Sequence, residues 1–335
     1  MSAPYPWLAE PWHELVERAA RDMLGHAYLL CGREGLGKFA FAERFAHGLL
    51  CERRPSDGEA CGSCRGCLLN ASGNHPDLKL LSLEEERKSI VIDQVRELIG
   101  FFTLKAHYHG RKIGIVYPAD TMNNAAANAL LKILEEPPAT ALLLLVASRP
   151  ALLPATIHSR CQRINFALPP WQVREQWLRA ELAGRDKAPK LDDLSLCGAP
   201  LEVLAQLDSP RPQLMNDVIA ALHTNLQGRG NPLEVARAFA DVEIRRYLDT
   251  LELAVQAAAQ RRAGHAPPQL RLSANSQRQL QEISDKLHFD SLLSYLDRVG
   301  ASRAMVLRSG GVRGAEVIEN LWQSWMKSTQ MENAP

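Results

Sequence analysis

The chain has 335 residues, 46% hydrophobic and 23% charged, an ordinary globular composition that is long for one domain and natural for two or three. A formal net charge of +1 argues against a stand-alone DNA binder with a strongly basic face, although not against DNA contact within an assembly. The longest apolar run, Ala141 to Ala147, is far too short to span a membrane. The opening Met1-Ser2-Ala3-Pro4-Tyr5-Pro6-Trp7 has no basic segment leading into an apolar core, so no secretory signal is expected and the location is read as cytoplasmic.

In chain order, Ala27-Tyr28-Leu29-Leu30-Cys31 is a short apolar run that reads as a strand and ends in a Gly-rich loop. Beyond the loop, Phe39, Phe41, Ala42, Phe45, Ala46, Leu49 and Leu50 recur at helical spacing. A Gly/Ser/Asp-rich loop with four cysteines follows, and His75-Pro76-Asp77 leads into a strand at Leu78-Lys79-Leu80-Leu81. Asp93 is the expected cap of a helix that presents Val95, Leu98, Ile99 and Phe102 on one face. Lys112 to Tyr117 is the next strand, and Asn123 or Asn124 caps an Ala-rich helix reaching Glu136, where Pro137-Pro138 stops it. Ala141 to Ala147 is apolar at every position, which predicts a central parallel strand buried on both faces. Ile164-Asn165-Phe166 is a last strand.

Strands alternating with helices through Phe166 predict an α/β domain with a mostly parallel sheet flanked by helices. Leu168-Pro169-Pro170 is the expected linker. From Trp171 onward the periodicity is helical with no convincing strand. It suggests a small helical unit to about Asp208, a break at Ser209-Pro210-Arg211-Pro212, and a helical bundle whose clearest piece is one amphipathic stretch from Leu233 to Arg262.

Three constellations carry chemistry. The loop Gly32-Arg33-Glu34-Gly35-Leu36-Gly37-Lys38-Phe39 matches the phosphate-loop pattern except at its end, where Phe39 replaces the Ser or Thr hydroxyl that holds Mg²⁺. Gly32, Gly35, Gly37 and Lys38 retain the means to cradle a phosphate at a helix N-terminus. The spacing therefore leaves nucleotide binding open, with a ligand-free Gly turn as the alternative. A working site also needs an acid at the end of a neighbouring strand. Tyr117-Pro118 stands there instead, with Asp120 a few residues on in an expected helix-capping role. Glu135 and Glu136 lie at a helix C-terminus, where the macrodipole disfavours them, which hints at a fixed partner.

The cysteines Cys51, Cys61, Cys64 and Cys67 follow C-x9-C-x2-C-x2-C, which suits a closed tetrahedral structural zinc site. An iron–sulfur cluster and unligated buried thiols are the alternatives. His75 is read as a loop or core histidine. In Ser159-Arg160-Cys161, Arg160 has the planar fork that suits a γ-phosphate, and in a chain with a defective loop it could serve a neighbour's nucleotide.

Together these residues resemble bacterial clamp-loader subunits of the AAA+ class, and among them the δ′ family of DNA polymerase III. The resemblance is carried by Pro6-Trp7-Leu8, His26 to Leu30, the four cysteines, His75-Pro76-Asp77, the run Ala125 to Pro138 and Ser159-Arg160-Cys161. It is strong over residues 1–166 and faint beyond.

The resemblance implies an AAA+ P-loop domain (1–166) with a zinc-binding insertion (51–67), a small helical lid (167–208) and an all-helical collar (209–335). It implies zinc on the four cysteines and an arginine finger at Arg160, within the motif Ser159 to Cys161, acting in trans on an adjacent motor subunit. The implied partners are the γ/τ motor subunits and δ in a hetero-pentameric ring, with the sliding clamp and primed DNA reached through the assembly. Motor subunits of the family carry an intact loop, an Asp-Glu pair and a lid arginine. Here Phe39, Tyr117-Pro118 and the Leu201 that follows Gly198-Ala199-Pro200 stand in those places, so hydrolysis in cis is not expected. Two rival functions follow from the same residues: an active ATPase using Asp120 or Glu135 for metal, and a zinc-dependent nucleic-acid-binding module.

Overall fold

The computed structural model describes residues 5–84, 87, 89–108, 110–183, 196–207, 213–265, 270–308 and 313–332. The chain divides into two compact units, Met1–Arg174 and Glu175–Pro335.

The first unit runs α1 (Ala9–Ala20), β1 (Ala27–Cys31), α2 (Lys38–Leu49), α3 (Arg65–Ala71), β2 (Leu78–Ser82), α4 (Ile92–Thr103), β3 (Lys112–Tyr117), α5 (Asn124–Glu135), β4 (Ala141–Ala147), α6 (Ala155–His158) and β5 (Gln162–Asn165). The five strands form one parallel sheet in the order β2-β3-β4-β1-β5. Every residue of β4 is buried, because β4 lies in the middle of the sheet between β3 and β1. The continuous apolar run is what a strand covered on both faces requires. Leu144 of β4 stands opposite both Tyr28 of β1 and Ile115 of β3.

Several local expectations are met and two are corrected. Asn123 caps α5 by accepting the Ala126 N–H at 2.8 Å. The cap of α4 is Val91 rather than Asp93, which lies in the first turn; the Gln94 side chain accepts the Val91 N–H at 3.1 Å. Asp120 does not cap a helix. It sits in the short 3-10 turn Ala119–Thr121, where its carboxylate accepts the Ser148 and Arg149 N–H groups at 3.1 and 3.2 Å.

A helix α7 (Trp171–Leu182) leads into the second unit, which continues with β6 (Leu196–Cys197), α8 (Pro200–Leu207), α9 (Leu214–Leu226), α10 (Pro232–Ala238), α11 (Ile244–Arg262), β7 (Leu270–Arg271), α12 (Ala274–Lys286), α13 (Phe289–Arg308) and α14 (Gly314–Glu332). Its core gathers Val218, Leu222, Tyr247, Leu251, Leu280, Tyr295, Trp322 and Trp325. Both buried indoles are satisfied: Trp322 Nε1 donates to Tyr247 Oη at 2.5 Å and Trp325 Nε1 to the Leu222 carbonyl at 3.3 Å.

The stretch Leu233 to Arg262 is two helices, not one. Phe239 ends α10, and Glu243 starts α11 by accepting the N–H groups of Arg245 and Arg246 at 3.1 and 3.0 Å. A helix break needs no proline where a side chain can replace the lost backbone partners. The helical half also contains a strand pair that periodicity did not signal, β6 antiparallel to β7. Two residues per strand are too few to show a period of two.

Gly48, in the last turn of α2, leaves room for the carbonyl of Gly58 in the cysteine-bearing insertion; a Cβ there would overlap that oxygen. Helix propensity alone favours Ala over Gly by about 1 kcal/mol. We expect Gly48→Ala to lower stability instead, by about 1–3 kcal/mol, as overpacking against backbone does. The urea midpoint reads the sign.

Candidate functional site

Strand β1 delivers the chain into the phosphate loop, and α2 begins at Lys38 immediately after Gly37, which adopts the left-handed φ of 83°. Those are the strand, loop and helix N-terminus that a phosphate site needs. Side chains of the protein itself pack against this loop. The Tyr5 ring lies where a Cβ on Gly37 would be. Tyr5 stacks on Trp7 at 5.1 Å, and Trp7 Nε1 donates to the Leu36 carbonyl at 2.9 Å, which ties this aromatic pair to the loop. On the other side Phe39 stacks on Tyr117, with centroids 4.7 Å apart.

Lys38 is buried and turned inward. Its ammonium donates to the Arg33 carbonyl at 2.7 Å and to Ser148 Oγ at 3.2 Å. Ser148 directly follows β4, and its N–H is one of the two donors that hold Asp120. Asp120 also pairs with Arg149 at 3.5 Å. The Asp120 carboxylate is thus engaged at β4's carboxyl end.

Sequence spacing gives no sign that Tyr5, Trp7 and Ser148 meet the loop. Aromatic residues thirty positions upstream carry no spacing signal, and one Ser after a strand is common.

The four cysteines converge. Cys51 follows α2, Cys61 lies in the insertion loop, Cys64 caps α3 and Cys67 is in its first turn. Their sulfurs all lie within 4.8 Å of one another. The pairs Cys51–Cys64, Cys61–Cys67 and Cys64–Cys67 stand 3.9, 3.9 and 3.4 Å apart. Four thiolates at 2.3 Å from one tetrahedral ion lie about 3.8 Å apart, so the set fits a closed thiolate site. The amides of Ser63 and Cys64, with the Ser63 hydroxyl, bring the Cys61 thiol down to about 6, whereas burial pushes Cys67 up to about 12.

His75 stays outside the four-cysteine cluster. It is buried, accepts the Asp77 N–H on Nδ1 at 3.1 Å and packs edge-on to Tyr108. Cys64→Ser should abolish stoichiometric metal in the purified chain, read by elemental analysis. A wild-type chain that is well folded and metal-free would refute a metal centre.

Arg160 lies on the turn after α6, outside the phosphate loop. Its Nη1 donates to the Thr156 carbonyl and to Ser159 Oγ, each at 3.1 Å, and Nη2 pairs with Glu135 Oε1 at 2.8 Å. Ser159 Oγ donates to the Thr156 carbonyl at 3.1 Å. Cys161 is buried in the core beside Ile157, where desolvation and the neighbouring Cys31 push its thiol up to about 12. The motif therefore has one anchoring residue, one hydroxyl that steadies the head group, and one charge at the surface. The cation that meets the acidic end of α5 is Arg160.

A parallel sheet with a Gly-rich loop between its first strand and the following helix defines an α/β fold of the P-loop type, followed in the chain by a helical region. A family model described as "DNA polymerase III, delta subunit" matches residues 8–170. The chain is 44% identical over 194 residues to the DNA polymerase III subunit delta' of Pseudomonas aeruginosa, covering 58% of each chain. It is 35% identical over 227 residues to that of Yersinia pestis, covering 66% of each. It is also 30% identical over 214 residues to the DNA polymerase III subunit tau of Bacillus subtilis, covering 64% of this chain and 35% of that one. Over these stretches the chain is similar to the delta-prime subunits of DNA polymerase III. It spans less than two thirds of the length of the delta-prime relatives it matches.

Proposed function

We propose that this chain is a non-hydrolysing δ′ subunit of a DNA polymerase III clamp loader, which helps place the sliding clamp on primed DNA and supplies Arg160 to the ATP site of a neighbouring motor subunit. The observation that carries this reading is the contrast between two sites. At the chain's own loop, Tyr5 packs on Gly37, Phe39 stacks on Tyr117 and Lys38 is engaged by Arg33 and Ser148. Arg160 stands at the surface with its side chain 35% exposed.

Hydrolysis in cis needs a metal hydroxyl and a strand-end acid. Phe39 lacks the first, and Asp120 is held by Ser148 and Arg149. Leu201, in the first turn of α8, supplies no charge where a motor subunit's lid would carry an arginine. The active-ATPase reading therefore lacks its chemistry.

On this reading the four cysteines hold structural zinc, with no open coordination position. Residues 167–208 act as a lid and 209–335 as a collar in a hetero-pentameric ring with γ/τ and δ subunits. The complex works in the cytoplasm as part of a nucleotidyltransferase holoenzyme. No described helix is long and apolar enough to cross a membrane. The net charge of +1 supports DNA contact through the assembly rather than by this chain alone.

An arginine finger is worth on the order of 10³–10⁵ in rate in some phosphoryl-transfer enzymes. Rings containing the Arg160→Ala chain should assemble normally and hydrolyse ATP at least about tenfold more slowly at the adjacent site. Turnover equal to wild type would overturn the assignment. In the isolated chain, Phe39→Thr should restore no ATPase, because the returned hydroxyl still has no acid to work with; measurable Lys38-dependent turnover would count against the sealed-site account.

A further inference from the structure

Glu135 is the last residue of α5, at the negative end of the helix dipole, where a carboxylate is disfavoured unless a cation offsets it. Arg160 is that cation, at 2.8 Å. The guanidinium has five N–H donors in a fixed plane. Two hydrogen bonds, to Thr156 and Ser159, and the ion pair with Glu135 hold it against its own chain.

We propose that Glu135 is a positioning residue that parks Arg160 in the absence of nucleotide and is displaced from it when a neighbour's phosphate arrives. The proposal rests on Arg160 acting in trans, as argued above. The competition follows from charge. A phosphate is the stronger anion and takes a guanidinium in the same bidentate manner as a carboxylate. Two anions on one fork repel each other, so a phosphate bound to Arg160 favours a Glu135 that has moved off.

The exposures suit an exchange rather than a permanent pair. The Glu135 side chain is 50% exposed and has open solvent to move into, while the bonds to Thr156 and Ser159 stay with the turn that carries Arg160. A pair this exposed changes an equilibrium by only about two- to fivefold, which a phosphate can overcome. Glu135 therefore keeps the finger from wandering or pairing elsewhere, at a modest cost in nucleotide capture.

The test is steady-state ATPase of the assembled ring, with ATP as the probe, comparing wild type, Glu135→Gln, Glu136→Gln and Arg160→Ala in this chain. Removing a competitor for ground-state binding moves KM and leaves kcat. Glu135→Gln should lower KM about two- to fivefold with kcat unchanged. Glu136→Gln removes the same charge one residue on, where no pairing with Arg160 is present among the described residues, and should change neither. An unchanged or raised KM in Glu135→Gln, with Arg160→Ala still slow, overturns the parking role and leaves the finger in place. An equal drop in KM from Glu136→Gln overturns it too, by showing a general charge effect. Wild-type turnover from Arg160→Ala would remove the reading on which it rests.

Discussion

The carboxyl end of β4 organises the first unit. The strand is buried along its whole length between β3 and β1, so the residue that follows it has little freedom of position. That residue, Ser148, receives the Lys38 ammonium on its hydroxyl and gives its N–H to Asp120. One point thus connects the phosphate loop after β1 with the turn after β3. In a working NTPase these two segments would meet across a metal and a nucleotide. Here they are joined by protein hydrogen bonds.

The aromatic residues complete that closure. Tyr5 and Trp7 cover the glycine side of the loop, and Phe39 covers the other side through Tyr117. Phe39 therefore does more than omit a hydroxyl, since its ring stacks on Tyr117 at the end of β3. The cysteine insertion is fitted just as closely to the end of α2, where Gly48 admits the Gly58 carbonyl. Arg160 is treated differently. Its backbone is fixed because Cys161 and Ile157 are in the core, yet its head group is held only by surface contacts. A rigid base with a releasable charge suits a residue meant to act on another molecule.

Much of this was legible in the residues because the signals were local or extreme. Lys112–Tyr117 and Ala141–Ala147 appear as strands with the bounds their apolar runs suggest. The four cysteines had a spacing that a metal geometry could be tested against, and the sulfurs meet. What was not legible depends on contacts between distant segments. Asp120 looked like a helix cap because its partners, Ser148 and Arg149, lie about thirty residues away in sequence. The break between α10 and α11 is made by Glu243 capping its own helix, within a stretch whose amphipathic pattern runs on through it. The packing of Tyr5 on Gly37 depends on where an N-terminal segment folds back, which no period or motif encodes.

The account turns on the claim that this chain's own phosphate loop is closed to nucleotide. Equilibrium titration of the isolated chain with ATP and Mg²⁺ tests it most directly. A closed loop predicts no saturable binding at concentrations that fill the motor subunits. One ATP bound per chain, lost on Lys38→Ala, would contradict it.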